Sequence, residues 1–269
     1  MRVIHSQPPE QEPGKAPPPE RRRRAGIYLL PNLFTTGALF AGFYGIVAAS
    51  QTRFEAAAIA VLVAMVLDGM DGRIARMTNT QSDFGAQYDS LADMVSFGLA
   101  PGLIIYEWVL FEFGKIGWLA AFMYSAATAL RLARFNTQVS SADKRFFQGL
   151  PSPAAAAIIA ALVWFGHHFE LRTAPGIVLL ATAVTVAAAL LMVSNVRYYS
   201  FKDFDLRGRV PFVAVLAIVM VFVLISLEPA SVLLILFGSY AVSGLAETWW
   251  QRRRRQAERR EAKGGSRDG

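Results

Sequence analysis

The sequence predicts an all-α fold, a polytopic membrane bundle of about eight transmembrane helices. Three observations predict it. Of 269 residues, 54% are hydrophobic and the mean hydropathy is +0.36, more apolar than a soluble domain of this length. Several windows approach the roughly 20 apolar residues that cross a bilayer. The basic residues gather at alternate connections between apolar segments, as the positive-inside rule requires of a multi-pass protein.

Composition also sets exclusions. A net charge of +7 and a pI near 9.9 would suit nucleic acid. The cations sit beside apolar segments, however, so anionic lipid and topology explain them and no nucleic-acid partner is expected. The absence of cysteine removes disulfides, thiolate metal sites and cysteine nucleophiles.

Residues 1–25 are rich in proline and charge ("SQPPEQEPGKAPPPERRRR") and lack a periodic apolar face, which predicts a disordered cytoplasmic tail. No small-residue cleavage site follows the first apolar segment, so this start does not read as a signal peptide. Residues 26–250 form the membrane-embedded domain, with apolar segments at 32–50, 54–77, 84–108, 115–138, 151–168, 174–195, 209–227 and 229–250. Pro229 separates the last two. Residues 251–269 are a second basic cytoplasmic tail, whose first turns could extend the last helix.

An even number of spans puts both ends of the chain on one side, and Arg21–Arg24 and Arg252–Arg255 make that side the cytoplasm. The connections agree. Those on the cytoplasmic side carry Arg73 and Arg76, then Arg131, Arg134, Lys144 and Arg145, then Arg197, Lys202, Arg207 and Arg209. Those on the opposite side carry Arg53, Lys115 and Arg172.

"LDGMDGRIAR", Leu67 to Arg76, therefore falls in the last turns of a descending helix, and "GAQYDSLAD", Gly85 to Asp93, in the first turns of the next. Asp68 and Asp71 are three apart, Asp89 and Asp93 four apart, so each pair shares a helix face. Two antiparallel helices would bring four carboxylates into one pocket near the inner membrane surface. A carboxylate in a membrane helix costs up to roughly 2.5–3.5 kcal/mol at mid-bilayer, and four together repel one another. Ion pairs with Arg73 and Arg76 would leave a charge deficit. Divalent cations remove it, and an all-oxygen donor set without cysteine or a nearby histidine favours Mg²⁺ or Mn²⁺. Aspartate-held ions of this kind serve phosphate chemistry. A transporter would spread polar residues through the bilayer, whereas here they gather at one face. A membrane prenyltransferase would place its aspartate motifs on distant helices.

The pattern Asp68-x2-Asp71-Gly72-x2-Ala75-Arg76-x8-Gly85-x3-Asp89-x3-Asp93, eight fixed positions over 26 residues, resembles in full the signature of the CDP-alcohol phosphatidyltransferases. "LPNLFT" (30–35), "DSLADMVSFGLAP" (89–101), "RLARFN" (131–136), "GLPSPAAA" (149–156) and "SNVRYYSFK" (194–202) are similar to stretches of one branch, the bacterial phosphatidylserine synthases.

The resemblance implies the CDP-alcohol phosphotransferase fold in a bacterial inner membrane, with the site facing the cytoplasm and two bound Mg²⁺ or Mn²⁺ ions. Asp68, Asp71 and Asp89 would be metal ligands. Asp93 would be the general base and a further contact to the second metal. Gly72 and Arg76 would contact the CDP portion, while Ala75 and Gly85 serve packing. The implied reaction moves the phosphatidyl group of CDP-diacylglycerol to L-serine within the surrounding membrane lipid. The alternative is another acceptor, such as glycerol 3-phosphate or inositol phosphate. A homodimer is implied as well.

Serine's carboxylate needs a cation. Arg134 and Asn136 are the preferred candidates because they lie in a stretch similar to that branch; Arg131 and Lys202 are further ones. Each is equally explained as a topology or snorkelling residue. His167–His168 falls at the opposite membrane face without an acidic cluster, and Trp249–Trp250 suits an interfacial anchor. Gly37, Gly42 and Gly45 fit either close helix packing or room for an acyl chain.

Overall fold

The computed structural model describes residues 25–78, 80–138, 146–199 and 212–264. Lys144, Arg145, Lys202, Arg207, Arg209 and the tail before residue 25 lie outside them. The described residues are helical apart from short connections and one small strand pair. α1 (Ala25–Ser50) and α2 (Phe54–Thr78) form an antiparallel hairpin. Thr52 closes α1 in the left-handed region at φ +61°, with Arg53 N–H bonded to Ala48 O and Thr52 N–H to Ala49 O, the Schellman pattern that caps exposed carbonyls. Small residues let the two backbones approach: Ala38, Ala41, Ala48 and Ala49 on α1 are buried, as are Ala57, Ala58, Ala60 and Ala64 on α2. A Cβ on Gly45 would sit 3.3 Å from Ala57 O, and one on Gly42 would sit 2.7 Å from Ser96 Cα. Gly42 and Gly45 thus serve helix packing.

The next rod runs from residue 83 to residue 108 and changes its winding on the way. Ser82 caps α3 (Asp83–Asp93) by accepting the Gly85 N–H at 3.1 Å. A π-helical turn, Met94–Leu99, follows and leads into α4 (Ala100–Trp108). Pro101 explains the turn. It has no N–H to give the Phe97 carbonyl four residues earlier. The buried Tyr124 hydroxyl supplies the missing donor at 3.0 Å, and Ser125 Oγ caps Gly98 O at 3.1 Å.

α5 (Lys115–Gln138) carries those hydroxyls. α6 (Ser152–His168) is the central helix, packed by α2, α4, α7 and α9, and is buried almost all round from Ala154 to Val163. α7 (Ile177–Val193) covers α5; α8 (Phe212–Leu227) packs on α9 (Pro229–Gly264). β1 (Phe146–Gln148) pairs antiparallel with β2 (Arg197–Tyr199), Phe147 opposite Tyr198, a strand pair the hydropathy pattern does not predict.

Among the described residues three helices are long and apolar enough by themselves to cross a bilayer, Leu30–Ser50, Lys115–Thr137 and Pro229–Trp250, while Ser152–His168 and Ile177–Val193 are apolar but shorter. The protein is a membrane protein. α9 does not end at Trp250: it continues through Arg252–Arg255 to Gly264, so the second tail is helical over most of its length. Arg253 stacks on Trp249 at 3.7 Å from the ring centre.

Candidate active site

The site is built where α2 ends and α3 begins. Asp68 and Asp71 project from the last turns of α2, and Asp89 and Asp93 from α3 after the 79–82 connection. Carboxylate oxygens of Asp68, Asp71 and Asp89 lie within 4.8 Å of one another. Asp93, four residues after Asp89 on the same helix, is the fourth acid, close enough to Asp68 for the two carboxyl groups to interact. Asp71 is buried and the other three are half-buried.

Little compensates this charge. Among the described residues no Lys, Arg or His nitrogen comes within 4.0 Å of the four carboxylates; the ion pair found is His168 with Glu228 at 3.9 Å, elsewhere in the molecule. Structural ion pairing with Arg73 or Arg76 is therefore not what gathers these acids. Asp89 Oδ1 is buried and has no hydrogen-bond partner. An orphaned carboxylate oxygen facing three other acids fits a divalent cation held by oxygen ligands.

Polar neighbours steady the cluster. The Thr35 hydroxyl on α1 donates to Asp71 Oδ2 at 2.7 Å. The Gly72 backbone lies beside the Asp71 carboxylate, and Arg76 is the cation whose field reaches it. Beside the acids the surface is open: a Cβ on Gly69 would meet nothing within 4 Å, and one on Gly72 only Arg76 Nη1 at 3.6 Å. Gly85 has a different surrounding, its virtual Cβ being 3.1 Å from the Ser82 capping oxygen.

The cationic candidates divide. Arg131 donates from Nη1 to the buried Ser152 Oγ at 3.0 Å, its buried Nε has no partner, and its charge faces Asp93, Tyr240 and Tyr124. Arg134 is already engaged: Nη2 donates to Gln148 Oε1 at 2.6 Å and Asn195 Oδ1 at 2.9 Å, tying α5 to the strand pair and to the end of α7. Asn136 Nδ2 donates to Ser90 Oγ at 3.0 Å. Arg131 is thus the candidate whose charge reaches an acid of the cluster, Asp93. Thr35, Ser90, Gln148, Ser152 and Asn195 were not singled out by sequence. Thr35, Ser90, Ser152 and Asn195 stand inside the quoted stretches, where a small polar residue amid apolar neighbours is the available signal.

The histidine pair lies at the far end of α6 from Ser152. With Thr52, Phe54, Glu170 and Arg172 it lines a cavity of about 540 Å³ that does not coincide with the acid cluster. The group of metal-compatible side chains found among the described residues is Asp68, Asp71 and Asp89.

The family profile described as CDP-alcohol phosphatidyltransferase matches residues 28–194, which contain the whole acid cluster and Arg131. The chain belongs to the CDP-alcohol phosphatidyltransferase family. Among its relatives, the CDP-diacylglycerol–serine O-phosphatidyltransferase of Helicobacter pylori (strain ATCC 700392 / 26695) is 38% identical over 222 residues, 81% of this chain and 90% of the relative. The Bacillus subtilis (strain 168) protein of that name is 32% identical over 173 residues, 64% of this chain and 91% of the relative. The archaetidylserine synthase of Methanothermobacter thermautotrophicus is 33% identical over 171 residues, 63% and 69% of the two chains. Membership in the family gives the acid cluster its chemical setting, a transferase whose donor carries a diphosphate.

Proposed function

We propose that the protein is a CDP-diacylglycerol–serine O-phosphatidyltransferase, making phosphatidylserine and CMP in a bacterial inner membrane. The convergence of Asp68, Asp71 and Asp89 within 4.8 Å, in the family's own motif, carries the phosphotransfer chemistry. The acceptor rests on the relatives' names, which keep serine while the lipid changes from phosphatidyl to archaetidyl.

Asp68, Asp71 and Asp89 would hold two Mg²⁺ or Mn²⁺ ions, with Asp93 touching the second; bound there, the cations neutralise charge on the donor's phosphate oxygens. Gly72 leaves space for the CDP portion, and Arg76 offers a guanidinium fork to its diphosphate. Arg131 binds the serine carboxylate through its free Nε edge. Arg134 and Asn136 hold the surrounding elements in register, and Lys202 is a further cation for the same side. Asp93 then takes the proton of the serine hydroxyl. That oxygen bonds to the phosphorus carrying diacylglycerol, the bond from this phosphorus to the bridging oxygen breaks, and CMP leaves with that oxygen.

In the same proposal eight spans cross the membrane between residues 26 and 250, two copies form a homodimer, and the site opens to the cytoplasm. Charge asymmetry between the connections supports this orientation. The test is incorporation of radiolabelled serine into lipid, dependent on added CDP-diacylglycerol and divalent cation, with CMP released in equal amount. Labelled product from glycerol 3-phosphate or inositol phosphate, and none from serine, would replace the acceptor and keep the chemistry.

A further inference from the structure

The two adjacent hydroxyls of α1 are used differently. A threonine in a helix commonly turns its hydroxyl back to the carbonyl four residues earlier. Thr36 does so, with Oγ1 2.7 Å from Asn32 O, and meets the Tyr88 hydroxyl at 2.9 Å. For Thr35 the order is reversed: Pro31 O is 3.2 Å away and Asp71 Oδ2 is 2.7 Å away. A hydroxyl has one proton, and an ionised carboxylate can only accept. The proton therefore goes to Asp71, at the 2.5–2.7 Å spacing typical of a charge-assisted bond. Thr35 is 4% exposed and Asp71 is 5% exposed, so water does not substitute for this contact.

We infer that Thr35 is a positioning residue for the metal cage, acting through Asp71. It touches neither substrate nor reacting atoms. Its hydroxyl fixes the Asp71 carboxylate from α1, across the helix pair. Asp71 is in this way presented to Asp68 and Asp89 with its orientation already set. Ligand orientation by such outer contacts typically governs metal affinity by 10–100-fold. The inference rests on the metal-binding role proposed above for Asp71.

The experiment is titration of the purified full-length protein with Mn²⁺, read by the electron paramagnetic resonance signal of free Mn²⁺, without substrates. Thr35→Val raises the Mn²⁺ dissociation constant about 10–100-fold, and Thr35→Ser, which keeps the donor, stays within about threefold of the parent. Thr36→Val, which removes a hydroxyl one position along that does not reach an acid of the cluster, leaves Mn²⁺ affinity unchanged. Should Thr35→Val fail to fold, the Thr35→Ala and Thr35→Ser pair gives the same contrast. Unchanged affinity in Thr35→Val, equal weakening in Thr35→Ser, or equal weakening in Thr36→Val would each overturn the positioning role. A parent protein that binds no Mn²⁺ at all would overturn the metal reading beneath it.

Discussion

The Asn136 side-chain amide donates to the Ser90 hydroxyl at 3.0 Å, joining the C-terminal end of α5 to the residue that follows Asp89. If Asn136 serves the reaction through this link, the two residues act as one unit. Asn136→Ala and Ser90→Ala should each lower kcat about fivefold, on the order of 1 kcal/mol for one hydrogen bond. The double variant should cost no more than either single one, since residues in one network are not additive. Steady-state kinetics of the three variants is the check. Additive losses would separate the two residues.

Arg131 and Arg134 should behave differently under substitution. The free Nε of Arg131 is what a carboxylate would use. Arg131→Lys removes it, and the KM for serine should rise about 10–100-fold, the loss of one or two charged hydrogen bonds, with the KM for CDP-diacylglycerol unchanged. Arg134→Ala also raises the serine requirement more than the lipid requirement, by a smaller factor, because it loosens the Gln148 and Asn195 contacts. An equal effect on both substrates in either variant counts against a serine-side role.

Asp93→Asn keeps the shape of the side chain and removes its basicity. Product formation should fall at least about 100-fold, the usual contribution of a positioned base. Mn²⁺-dependent binding of CDP-diacylglycerol should largely persist, measured by equilibrium binding in nanodiscs. Near-normal turnover would take Asp93 out of the proton transfer.

Exhaustive chelation should abolish transfer, and Mg²⁺ or Mn²⁺ should restore it, because among the described residues no protein cation comes within 4.0 Å of the four acids. Zinc should restore less, since the metal-compatible group among the described residues offers carboxylate oxygens alone. Serine incorporation after dialysis against each metal decides this.

Gly166 bears on stability rather than chemistry. A Cβ there would lie 2.2 Å from the Trp108 indole, which is fully buried. Gly166→Ala should cost about 1–3 kcal/mol by overpacking, seen as a lower unfolding midpoint in detergent.

Much of this was legible in the residues. The acids announce themselves because i+3 and i+4 spacing fixes a shared face whatever the neighbours are. The helix ends at Thr78, Trp108 and Gln138 fall where apolar periodicity stops. The π-helical turn was not legible, because Pro101 signals a lost donor without saying that Tyr124, 23 positions later, replaces it. The division of labour among the arginines was hidden for a similar reason. Arg131 and Arg134 lie three apart in one stretch, and only the partners Ser152, Gln148 and Asn195, from three other segments, tell them apart. The strand pair is three residues long on each side, too short to show alternation.

The cage and the threonine behind it are drawn from a continuous piece of chain, Thr35 to Asp93. A ribosome has delivered every acid of the cluster before Arg131 is polymerised. On the metal role and topology proposed above, the first three spans would enter the lipid phase before Arg131 exists, and capture of a cation would belong to insertion, earlier than docking of the central helix α6.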